Sequence, residues 1–86
     1  MRANTVFVHQ YHARMAIQIE QDEFVAIETK RHADIRLFDV IAGELTSGKV
    51  NSLFNITRET LTFAEVLGRF SSLASAQWAT TLDRSA

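Results

Sequence analysis

The residues with the strongest chemical suggestion run from Gly43 to Val50, Gly-Glu-Leu-Thr-Ser-Gly-Lys-Val. They match the phosphate-binding loop G-x-x-x-x-G-K-[ST] at every position but the last. That position supplies the Ser/Thr hydroxyl that ligates magnesium, and Val50 has no atom to replace it. The loop also needs a buried parallel strand before it and a helix after it, within a doubly wound sheet. A chain of 86 residues leaves little room for such a sheet. The segment therefore reads as a glycine-ended helix followed by a polar loop, and its residues are assigned no cofactor.

His9 and His12 form an H-x-x-H pair. Three-residue spacing puts both rings on one face of a helix, but residues 5–11 (Thr-Val-Phe-Val-His-Gln-Tyr) are β-branched and aromatic and read as a strand, on which the two rings diverge. No third ligand stands at metal-site spacing, so no metal is expected. A basic cluster is the third candidate: Arg14, Lys30, Arg31, His32 and Arg36, with Tyr11 nearby, can meet at one end of a sheet and hold phosphates or an acidic partner. Its plainer reading is solvated charge at a strand-to-helix junction. No nucleophile–base–acid arrangement and no convincing carboxylate pair is present, so no catalytic residues are assigned.

The elements that must position these residues come from a chain of one-domain length, 47% hydrophobic and 22% charged. Nine Lys and Arg nearly balance ten Asp and Glu, which weighs against a phosphate-contacting nucleic-acid domain. The chain has no cysteine and no proline, and shows neither a signal peptide nor a stretch of membrane-spanning length; a cytoplasmic location is the simplest expectation.

Residues 15–20 and 24–29 alternate apolar and polar, separated by Gln21 and Asp22, and predict a hairpin. In 34–45, Ile35, Leu37, Phe38, Ile41, Ala42 and Leu45 recur at helical spacing, with Asp34 at the N-cap position and Gly48 beyond the end; a helix is favoured there, a strand being the alternative. Residues 49–57 fit an edge strand or a helical turn. From Phe63 onward Val66, Leu67, Phe70, Leu73, Ala74, Gln77 and Trp78 also recur at helical spacing. Thr62 and Glu65 form a capping box, and Leu61 and Val66 occupy the staple positions, which predicts a helix over 63–80. The expected fold is thus α+β: a small antiparallel sheet of three to four strands, mostly N-terminal, covered by a C-terminal amphipathic helix, with a second helix at 34–45.

On the expected helix, Ala64, Gly68, Ser71, Ser72, Ser75 and Ala79 form a stripe of small residues beside the aromatic one. Such a stripe permits close backbone approach, either by the 34–45 helix or by another chain, including the same helix in a homodimer. The functional expectation is a non-enzymatic binding or regulatory module acting through contact with another protein. Accessory proteins of phages, plasmids and toxin–antitoxin systems are often this small, an association of size alone. A nucleic-acid-binding accessory protein using the basic cluster is the alternative, and a small nucleotide-binding protein the second alternative.

Overall fold

The computed structural model describes residues 1–9, 13–30 and 34–81. They form six strands and one helix: β1 (Arg2–His9), β2 (Arg14–Glu20), β3 (Glu23–Thr29), β4 (Val40–Gly43), β5 (Val50–Asn55), β6 (Thr60–Phe70) and α1 (Leu73–Thr81). All pairings are antiparallel, and the strands close into a barrel in the order β1-β2-β3-β6-β5-β4, with β4 returning to β1. Two meanders, β1–β3 and β4–β6, are thus joined along both seams, and closure removes the sheet edges. Among the described residues no helix is long and apolar enough to cross a membrane.

The barrel interior holds Ala3, Met15, Ile17, Val25, Ile27, Ile41, Leu53 and Ala64, with Ile35 from the segment before β4. Most of these side chains follow the two-residue alternation of their strands. The expected hairpin is β2–β3, in which Ile17 faces Val25 and Met15 faces Ile27 on the inner side.

The barrel corrects the α+β expectation. Residues 63–70 are not helical; they are most of β6, paired with β3 on one side and β5 on the other. The helical spacing there has a specific origin. Thr62 and Ala64 point inward and Leu61, Phe63 and Glu65 outward, but the register against β3 slips between Ala26–Gly68 and Ile27–Val66, so that Leu67 is an extra residue. A bulge of this kind breaks the period of two and leaves apolar residues at three- and four-residue steps. Thr62 therefore points into the barrel, where it is 7% exposed, and caps no helix.

The expected 34–45 helix is likewise absent: residues 34–39 are irregular, with a turn at Leu37 and Phe38, and β4 follows at Val40–Gly43. Phe38 has φ +72°, a left-handed conformation that interrupts any helix. Residues 50–55, one of the two alternatives for 49–57, are a strand, paired on both sides and not at an edge.

The one helix among the described residues, α1, is short and packs on the outside of the barrel against β1, β2, β3 and β6. Its approach rests on small side chains. Ala16 and Ala26, cross-strand partners with neither side chain among the inward set, are fully buried, and Gly68 is paired with Ala26. From the helix side Ala76 and Thr80 are buried. Arg14 fastens the contact: its Nε–H donates to Glu28 Oε2 at 2.8 Å and its Nη1–H to the Thr80 carbonyl at 3.3 Å.

Candidate functional site

The alternation that fills the barrel also determines what is left outside. On β5 the inward positions are Asn51, Leu53 and Asn55, and the outward ones Val50, Ser52 and Phe54. This inverts the usual preference, since two asparagines are inside and an aromatic ring is outside. The asparagines are held there by work at the two barrel ends. Asn51 closes the β4–β5 connection: its Oδ1 accepts from Thr46 N–H at 2.8 Å, and its Nδ2 donates to the carbonyls of Thr46 at 3.0 Å and Lys49 at 3.1 Å. Asn55 joins a buried network around Asp39 at the other end. Its Nδ2 donates to Asp39 Oδ2 at 2.9 Å, and the same oxygen accepts from Arg36 N–H at 2.9 Å and Arg58 Nε–H at 2.7 Å.

Because the asparagines take the inward phase, Phe54 and Val50 take the outward one. On β6 the outward residues opposite are Leu61, Phe63 and Glu65, in the cross-strand pairs Phe54–Leu61, Ser52–Phe63 and Val50–Glu65. The result is an apolar strip of Val50 (49% exposed), Phe54 (43%), Leu61 (62%) and Phe63 (43%). These fractions leave on the order of 350 Å² of side-chain surface in contact with water, within the range of patches that mark interaction sites. A small groove of about 150 Å³ opens beside Phe63 and Val50, lined also by Glu28, Lys30 and Glu65.

The Asp39 network presents a second apolar feature. Asp39 N–H donates to the Arg36 carbonyl at 3.0 Å, closing a turn whose two central residues, Leu37 and Phe38, are 47% and 77% exposed. Phe38 stands at the position where turns of this geometry favour glycine. Burial alone would raise the Asp39 pKa, but the hydrogen bonds from Asn55, the Arg36 backbone and Arg58, with the charge of Arg58, outweigh it and hold the carboxyl below its ordinary value. Trp78 on α1, 68% exposed, borders a shallow groove with Phe7, Ala74, Gln77 and Thr81.

The residues singled out from the sequence are scattered. Of the basic cluster, Arg31 and His32 (and Tyr11 beside it) lie outside the described residues. Arg14 is buried against Glu28 and α1, Arg36 pairs with Asp34 at 3.1 Å, and Lys30 is exposed beside the groove. The small-residue stripe does not exist as one face. Ala64 is inside the barrel, Gly68 lies on β6 with the Phe70 ring over it, Ser71 and Ser72 form the bend before α1, and Ser75 and Ala79 are on α1. The Gly43–Val50 segment connects two antiparallel strands and leads into no helix, and Gly43 closely approaches Leu53. His12 lies outside the described residues, and His9 is at the end of β1 with its ring edge-on to Phe7. Among the described residues no three His, Asp or Glu side chains gather as metal ligands.

What the arrangement offers chemically is apolar surface on a rigid double strand, with charges of both signs at its margin. The chain matches no family model, no curated protein and no solved structure.

Proposed function

We propose that the protein is a small non-enzymatic binding module that acts through protein–protein contact, with the outer face of β5 and β6 as its contact surface. The observation that carries this reading is the strip Val50, Phe54, Leu61 and Phe63, exposed on a barrel whose core is already filled by other residues. Large apolar and aromatic side chains grouped on a hydrogen-bonded strand pair are the composition of an interface centre. The near balance of charge favours a protein over a nucleic acid as the partner.

The reading is tested by affinity capture from the native host, using the parent and Phe63→Glu and examining the eluate for protein and nucleic acid. The expected result is protein retained by the parent and lost with Phe63→Glu, persisting at raised salt. Retention of nucleic acid that falls steeply with salt and is indifferent to Phe63→Glu overturns it.

A further inference from the structure

We infer that the protein carries a second binding site, for a short extended peptide segment that adds as a strand to β1 beyond Thr5 and lays an apolar side chain into the groove between Phe7 and α1. This site shares no residue with the β5–β6 strip and goes beyond the reading of that strip as a contact surface.

The site begins where the β1–β4 seam stops. β4 pairs with β1 only over residues 2–4. One further step is hydrogen-bonded: the Thr5 N–H donates to the Asp39 carbonyl at 2.9 Å, and the Phe38 N–H donates to the Thr5 carbonyl at 2.8 Å. Two residues, Phe38 and Asp39, thus stand opposite one, which is a bulge. Phe38 is left-handed (φ +72°) and Asp39 N–H closes the turn to the Arg36 carbonyl, so the neighbouring chain leaves the flank of β1 there. β1 itself runs on to His9, with Phe7 paired to Ala16 and Val8 to Met15 on the β2 side. Among the described residues, no strand pairs with residues 6–8 on the other flank and no backbone hydrogen bond reaches them there. Closure of the barrel stops short of this stretch. A strand edge presents main-chain N–H and C=O groups in series, and another extended main chain is what satisfies them in series.

The groove supplies the side-chain half of the site. Phe7, paired with Ala16, is on the outer face of β1. Ala74, Gln77, Trp78 and Thr81 follow one another at three- and four-residue steps and share one face of α1. With Phe7 they line a shallow groove of about 360 Å³ that no Asp, Glu, Lys or Arg borders, so the side chain it suits is apolar. A strand beside residues 6–8 turns every second side chain to the outer face, which places one of them next to Phe7 and towards Trp78. Phe38, beside Thr5, marks the end of the open flank. The two most exposed large apolar side chains of the described residues, Phe38 at 77% and Trp78 at 68%, therefore stand at the end and along the side of one unpaired stretch of strand.

The test uses the purified full chain and a displayed library of random short peptides. Enriched sequences should alternate apolar and polar residues and lack proline, and one of them, synthesised, is the probe for titration. Its binding should slow hydrogen exchange at amides within residues 6–8. Methylating the backbone nitrogens of the probe in one alternate phase should abolish binding, and methylating the other phase should spare it, because only one phase faces β1. Trp78→Ala should weaken the probe by about tenfold or more with the melting temperature unchanged. Phe63→Glu should leave its affinity unchanged. A library without enrichment overturns the inference. So does a probe indifferent to methylation in both phases, or one indifferent to Trp78→Ala. A probe lost with Phe63→Glu and kept with Trp78→Ala sits on the β5–β6 strip, which also overturns it. A probe that meets every expectation, while capture of host protein ignores Phe63→Glu, supports this site and removes the reading of the β5–β6 strip.

Discussion

Ala64→Asp should unfold the protein, while Phe63→Asp, one residue away, should leave it folded. Ala64 is 2% exposed and points into the barrel among Val25, Ile27 and Leu53. A carboxylate there is desolvated among apolar side chains, and it also overfills a position sized for a methyl group. The cost exceeds about 4 kcal/mol, most of the stability of a domain this small. Phe63 faces outward, so Phe63→Asp forfeits only part of an apolar contact and some strand propensity, about 1 kcal/mol. Urea titration of both variants checks this. In a helix over 63–80 with the aromatic stripe in the core, the order of the two effects would be reversed.

Asp39→Ala should cost about 3–5 kcal/mol, because it removes one side of a buried ion pair and leaves Arg58 Nε–H and Arg36 N–H without this acceptor. Three donors converge on Asp39 Oδ2, and the carboxylate is 2% exposed. Removal strands Arg58, whose Nε–H donates to that oxygen at 2.7 Å, and deprives the 36–39 turn of the bond from Asn55 Nδ2 that fixes it against β5. The pH dependence follows from the lowered pKa. A carboxyl depressed in the folded state contributes its full stability above its unfolded value, near 3.8, and loses it as pH falls through the folded value. The parent should therefore destabilise in acid below about pH 4 more steeply than Asp39→Ala. Melting curves across that window measure the difference, and parallel acid limbs would show that Asp39 carries no such linkage.

Both results depend on a barrel that was only half legible in the sequence. The β2–β3 hairpin could be read because Met15, Ile17, Val25 and Ile27 alternate without interruption around a polar turn. β6 could not, because an extra residue at Leu67 shifts the phase midway and turns an alternating strand into an apparent helix. The capping box at Thr62 and Glu65 strengthened that appearance. It is a pattern of residue types, and the same types fit a strand with Thr62 inside and Glu65 outside. β4 was hidden by brevity: Val40–Gly43 is one turn's length, and the preceding Leu37 and Phe38, which extended the helical spacing, are exposed at a turn.

The candidate face was missed for a related reason. Sequence reasoning puts Phe63 on the stripe of a helix that covers the sheet, because aromatic residues are usually buried, and assigns Phe54 no side. On β5 the inward phase belongs to Asn51 and Asn55, whose amides tie the 46–49 loop and the Asp39 turn to the barrel. Two asparagines four positions apart, at the same phase as Leu53, are the signal that was present, and it can be interpreted only once the bonds at both barrel ends are seen. The small-residue stripe failed in the opposite direction. Gly68 and Ala64 have structural reasons to be small, under the Phe70 ring and inside the barrel, but they are not on a common face.

The central claim is that 60–70 is a strand which turns Phe63 outward beside Ser52. Backbone nuclear Overhauser contacts from a labelled sample test it most directly. Cross-strand contacts between Ser52 and Phe63, and between Glu28 and Glu65, are the predicted result. Sequential amide–amide contacts with Hα(i)–HN(i+3) contacts running through 63–70 would contradict it, and would return Phe63 to the core and remove the binding face.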